Sequence, residues 1–258
     1  MTKEVSAERR GQALWITVDR SEARNAMTFA MYDRLAELCR EANADRTVRA
    51  VVLTGTQEAF VAGTDIAQFA EFTTAEHALE YERRMDEWLS AIEDVAVPTV
   101  AALRGPVIGG GLAIAAACDL RIAAPSARFG VPVARTLGNC FSAANLVRLA
   151  ALVGLGRVRE LVLTARLVDT HEARTMGLVS EVVQTEESLE PRVDEIVEQL
   201  ATFAPLTLRA TKEMVRRIRA RMLPDEASDL VALCYTSADF REGVRAFIEK
   251  RKPSWTGA

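Results

Sequence analysis

The sequence predicts an α/β protein in which strand–turn–helix units follow one another and a helical region closes the chain. Three observations carry that prediction. Apolar runs at 48–53 and 97–103 read as strands buried on both faces. Each run is followed by a glycine-containing turn, Val61-Ala62-Gly63-Thr64-Asp65-Ile66 and then Gly105-Pro106-Val107-Ile108-Gly109-Gly110-Gly111-Leu112-Ala113. Beyond Glu181-Val182-Val183 the apolar spacing is helical throughout. Successive units of this kind favour a right-handed winding over an open sheet. The expected division is a wound core over 1–200 and a helical region over 201–258.

Bulk properties narrow the class. A chain of 258 residues buries a substantial core without disulfides or metals. Its net charge of −4 argues against whole-protein attraction to nucleic acid or an anionic membrane. Basic residues still cluster locally, at Arg20 with Arg24 and at Lys250-Arg251-Lys252. The 4 cysteines are widely spaced and form no CxxC pair, which reads as reduced thiols and a cytoplasmic location. No apolar stretch is long enough to span a bilayer, and no metal-ligand spacing or phosphate loop appears.

The elements can be justified in order. A short strand at 14–18 leads to Thr28 as a helix N-cap, and Met31, Leu35, Leu38, Cys39 and Ala42 then share one helical face. Segment 71–92 reads as a polar, charge-rich helix on the surface. A buried helix at 109–118 precedes a third strand at 119–123. Helices are expected at 143–153, 156–164 and 169–176, the last with Asp169 and Glu172 in capping-box spacing and Gly177 at its end. Leu189, Val193, Ile196, Val197 and Leu200 form an apolar stripe, a further helix covers 206–222, and a final helix runs from about Glu226 to Lys252, stopped by Pro253.

The two turns carry the chemistry. Where a strand end feeds a helix start, unpaired backbone N–H groups point outward. Two such groups converging on one point can hold a carbonyl oxygen that becomes negative during reaction. Thr64 and Gly110 are the candidates, in each case through the N–H.

Taken together, Arg24-Asn25-Ala26-Met27, Ala62-Gly63-Thr64-Asp65-Ile66, Gly109-Gly110-Gly111 with Cys118-Asp119, Arg128-Phe129-Gly130-Val131-Pro132, the run Ala173 to Val179 and the tail Ala246-Phe247-Ile248-Glu249-Lys250-Arg251 resemble the crotonase superfamily, the enoyl-CoA hydratases, isomerases and relatives. The resemblance covers nearly the whole chain. It implies a crotonase-like spiral of ββα turns with a C-terminal helical trimerisation region, as a homotrimer or hexamer. It further implies an acyl-CoA substrate or ligand, with coenzyme A part of the substrate and no separate cofactor. The oxyanion-hole donors would be Thr64 and Gly110. The coenzyme A pocket would lie near Arg24, Ala26, Ala62, Asp65 and Ile66, with Phe247 and Lys250 reaching the coenzyme A of a neighbouring subunit.

The chain departs from its relatives at the acids. The positions of the two hydratase glutamates hold Ala113 and Val133, and the alternative acid position of some isomerases falls at about Phe141. Hydration needs a base for water and an acid for the α-carbon, each worth roughly 10²–10⁴-fold. Replacement groups are sought in the polar run Arg135 to Ser142, which should border the acyl pocket. Arg135 suits a substrate carboxylate or an ion pair, Asn139 a water, an oxyanion or a turn, and Ser142 a helix cap. Cys140 has no histidine nearby in sequence, and His77 and His171 have no partner pattern. The readings are an oxyanion-hole enzyme of the hydratase/isomerase type, a decarboxylase or thioesterase on the same scaffold, or an acyl-CoA-binding protein without catalysis.

Overall fold

The computed structural model describes residues 3–56, 58–224 and 227–258. Strands β1 (Val5–Arg10) and β2 (Ala13–Val18) form an antiparallel hairpin whose turn places Gly11 at φ 56°. Thr28 caps α1 (Phe29–Ala44), its hydroxyl accepting from Met31 N, and the helix buries the expected face from Met31 to Ala42. Strand β3 (Ala50–Gly55) follows, then a 3₁₀ turn over Ile66–Phe69, then α2 (Ala75–Glu93) capped by Thr74.

The next windings place two strands each. Strand β4 (Thr99–Leu103) enters the main sheet, and β5 (Pro106–Ile108) leads into the buried helix α3 (Gly110–Ala117). Strand β6 (Leu120–Ala123) returns to the main sheet, and β7 (Arg128–Gly130) pairs parallel with β5. Then come α4 (Val133–Thr136), α5 (Ala143–Thr164), α6 (Thr170–Thr175), β8 (Glu181–Val182), α7 (Leu189–Ala201), α8 (Pro205–Ala220), α9 (Ser228–Tyr235) and α10 (Ala238–Ile248). The main sheet runs β1-β2-β3-β4-β6-β8, parallel beyond the opening hairpin, and β5 with β7 forms a second sheet.

The pleat divides the core. Ala13, Trp15, Ala50, Val52, Val100 and Ala102 face Leu189, Val193 and Val197 of α7. Ile16, Val51, Leu53, Ala101 and Leu103 face the larger core beneath α1, α2 and α3. Neighbouring residues thus point to opposite buried faces, which is why β3 and β4 read as continuous apolar runs.

Several expectations change. The predicted helices at 143–153 and 156–164 are one span broken at Gly154, where φ is 77° and ψ 157°. The expected single final helix is two, because Ser237 interrupts it and caps α10 by accepting from Phe240 N. Its expected start, Glu226, lies outside the described residues, and α10 ends at Ile248, short of the Pro253 stop. Helix α2 is not a surface helix on all sides: Ala78, Tyr81, Met85, Trp88, Leu89 and Ile92 are buried. Among the described residues, no helix is long and apolar enough to cross a membrane.

Candidate active site

The two glycine turns meet. A Cβ placed on Gly110 would stand 2.3 Å from the Tyr32 hydroxyl, 3.0 Å from Thr64 Oγ1 and 3.5 Å from Thr64 N. Only a residue without a side chain permits that approach. Gly109, with φ 53° and ψ −115°, turns the chain from β5 into α3, and Val61 bridges to Val107 beside it. On the other turn, Met27 N donates to Gly63 O and Asp65 N donates to Met27 O. This parallel bridge leaves the intervening Thr64 N–H pointing away from Met27. Among the described residues, neither the Thr64 nor the Gly110 N–H donates to another protein group.

The Thr64 side chain also has a place, beyond the N–H that the sequence singles out. Its hydroxyl lies 3.0 Å from the Tyr32 hydroxyl and 3.0 Å from the Tyr81 hydroxyl. Burial raises the pKa of both phenols, so they remain neutral hydrogen-bonding groups. The chain of three hydroxyls fixes the turn that presents the Thr64 N–H.

A cavity of about 110 Å³ opens beside the turns. Ala62, Thr64, Ile66, Gly110, Val133, Asn139 and Phe141, all singled out from the sequence, line it. Ala113 does not; it is buried within α3. Arg135 is exposed on α4 and is not among the lining residues. Asp65 caps the 3₁₀ turn by accepting from Ala67 N and pairs with Arg20 at 2.8 Å. Arg24, at φ 51°, accepts at its carbonyl from Ala62 N, and the Ala26 carbonyl accepts from Arg20. Phe247 is exposed near the end of α10, and Lys250 follows it at φ 53°.

The cavity also contains a carboxyl that the sequence analysis missed. Glu82 of α2 lines it and accepts from the Tyr235 hydroxyl of α9 at 2.7 Å. The Ser142 hydroxyl, which also caps α5, hydrogen-bonds to Glu82. Asn139 Nδ2 donates in turn to the Tyr235 hydroxyl at 3.0 Å, and Asn139 Oδ1 is buried with no partner among the described residues. Burial pushes the Glu82 carboxyl up to about 7, against the two hydroxyl bonds that favour its charged form. The signal was present in the sequence: Glu82 stands at i+4 from Ala78 and i−3 from Met85, a polar residue within an apolar helical stripe.

Cys140 also lines the cavity, and burial pushes its thiol far above the usual range, which makes it a poor nucleophile. Among the described residues, no group of His, Cys, Asp and Glu could hold a metal ion.

The fold and site define a wound α/β protein with two strand-to-helix turns facing one cavity. Residues 8–258 match the Enoyl-CoA hydratase/isomerase family, and the chain belongs to that family. It is 35% identical to the crotonyl-CoA hydratase of Syntrophomonas wolfei subsp. wolfei over 243 residues, 92% of each chain. It is 32% identical to the short-chain-enoyl-CoA hydratase of Clostridium acetobutylicum over 252 residues, 96% of this chain and 95% of that one. Among solved structures, the enoyl-CoA hydratase/carnithine racemase of Magnetospirillum magneticum superposes with a TM-score of 0.81 at 31% identity, covering 100% of this chain and 97% of that one.

Proposed function

We propose that this protein is an enzyme acting on enoyl-type acyl-CoA thioesters, and that the Thr64 and Gly110 N–H groups stabilise the thioester enolate. The observation that carries this reading is the approach of Gly110 to Thr64 N, with both N–H groups free of protein partners among the described residues. A thioester oxygen accepting from both would gain negative charge where two fixed donors await it. Kinship with the hydratases and isomerases supplies the substrate class.

The chemistry proceeds without glutamates at 113 and 133, where the chain has Ala113 and Val133. Coenzyme A enters as part of the substrate, along the segment of Arg24, Ala26, Ala62, Asp65 and Ile66. The Arg20–Asp65 pair neutralises the one carboxylate in that segment. Phe247 and Lys250 serve the site of a neighbouring copy in a homotrimer or hexamer. That assembly is supported by α8, which buries no residue in this chain and exposes Leu206, Met214, Val215 and Ile218.

The test is deuterium incorporation at the α-carbon of 3-enoyl-CoA and loss of 2-enoyl-CoA absorbance, with wild type and Gly110→Pro. The substitution deletes one donor and also sets a Cβ against the Tyr32 hydroxyl, so turnover is expected to fall by at least roughly 10²–10³-fold. Equal turnover by the two proteins would remove the oxyanion role. A second reading, an acyl-CoA-binding protein, is favoured by the apolar side chains at 113 and 133 and predicts tight binding with no chemistry.

A further inference from the structure

We propose that Glu82 is the proton-transferring residue of this site, taking a proton from the α-carbon of a 3-enoyl-CoA and returning it to the γ-carbon. The inference rests on the enolate reading above and names the reaction within it, a shift of the double bond.

Geometry and chemistry single out Glu82 among the described residues lining the cavity. The other polar side chains there are hydroxyls, amides and a thiol: Thr64, Thr136, Asn139, Cys140, Asn145 and the phenols of Tyr81 and Tyr235. Burial holds the thiol and both phenols in their neutral forms, so none of them is a base near neutrality. Glu82 is the lining group whose ionisation falls there, at about 7. Its carboxyl is held by the hydroxyls of Tyr235 and Ser142, from α9 and the start of α5, and Asn139 bonds Tyr235 in turn. Asp86, one helical turn onward, pairs with Arg148 at 2.7 Å, which offsets the repulsion a second carboxylate would exert.

One carboxylate suffices for this reaction. The α-carbon C–H bond breaks, its electron pair moves into the thioester enolate held by the Thr64 and Gly110 N–H groups, and the proton goes to Glu82. The pair then returns as the new α,β double bond while the β,γ double bond opens and the γ-carbon takes the proton from Glu82. No water is consumed and no second acid is required. Hydration would need water to be activated as well, and Glu82 is the one carboxyl among the described residues lining the cavity.

The experiment compares wild type, Glu82→Gln and Tyr235→Phe on trans-3-hexenoyl-CoA, with hexanoyl-CoA binding measured by calorimetry. The expected result is isomerisation to the 2-enoyl thioester by wild type, and a loss of roughly 10²–10⁴-fold in kcat for Glu82→Gln with hexanoyl-CoA binding kept within a few-fold. Wild-type kcat/KM should rise with pH through about 7, as the carboxylate forms. Tyr235→Phe removes a bond that favours the carboxylate, so that limb should move to higher pH. Undiminished isomerisation by Glu82→Gln, or a limb unmoved in Tyr235→Phe, overturns the role of Glu82 and leaves the enolate reading standing. Hexanoyl-CoA bound without isomerisation by wild type overturns the role of Glu82, and the enolate reading falls with it only where deuterium exchange at the α-carbon is absent too, which leaves the binding reading. No binding of hexanoyl-CoA removes the acyl-CoA site itself.

Discussion

The Tyr235 hydroxyl donates to Glu82 across 2.7 Å, joining helices whose residues stand 153 positions apart in sequence. An aromatic cluster makes that meeting possible. Tyr235 packs on Phe240 at 4.8 Å between ring centroids, and Tyr81, beside Glu82, packs on Phe69 at 5.0 Å. The helices after residue 201 therefore supply part of the cavity wall as well as an outer surface.

The raised ionisation of Glu82 makes folding stability pH-dependent. Between about 4.5 and about 7 the folded chain binds this proton more tightly than the unfolded chain. Stability from this group is therefore present at the acid end of the window and is lost as pH rises through it. Glu82→Gln removes the titration while keeping the shape. Urea unfolding should find the variant more stable than wild type at about pH 8, by on the order of 3 kcal/mol, with the gap closing toward about pH 5. A gap that stays constant with pH would mean that Glu82 titrates normally.

Thr64 should matter to the fold through its hydroxyl. Tyr32 and Tyr81 both turn their phenols to it, and both are buried. Thr64→Val keeps the side-chain shape and strands both phenols. Leaving buried polar groups unpaired costs about 1–3 kcal/mol each, so a loss of about 2–4 kcal/mol is expected from the urea midpoint at unchanged slope. A loss below about 0.5 kcal/mol would show that the phenols find other partners.

Arg148 is a buried cation with two anionic partners, Glu93 at 2.9 Å and Asp86 at 2.7 Å. Its removal leaves Glu93, itself buried, with Arg219 alone. Arg148→Ala should cost about 3–5 kcal/mol, read from thermal or urea unfolding. A stability change near zero would mean that solvent replaces the guanidinium without penalty.

The sequence made the glycine turns legible and hid the carboxyl. Gly63 and Gly109 adopt positive φ, and Gly110 admits no Cβ, so local backbone demands wrote themselves into residue type. The buried strands β3 and β4 were equally plain, since each is apolar without interruption. Strands β5 and β7 were not, because 3 residues are too few to show a period. Helix α2 misled by its composition: charge on its outer face obscured the stripe from Ala78 to Ile92. That Glu82 belongs to the stripe is visible from spacing, yet its partners Tyr235 and Ser142 arrive from distant segments that no local pattern announces. Within the polar run Arg135 to Ser142, Asn139 and Phe141 lie on the cavity wall and Arg135 lies away from it.

Glu93 accepts from Arg219 of α8 as well as from Arg148 of α5. A helix that buries nothing in its own chain is thus fastened to the far end of α2, about 16 Å along the axis from Glu82. Leu206 and Ile218 of that helix face outward, away from the rod that carries the carboxyl. The outward apolar face of α8 and the cavity carboxyl thus hang on the two ends of one helix, joined at the far end by the Glu93 ion pairs.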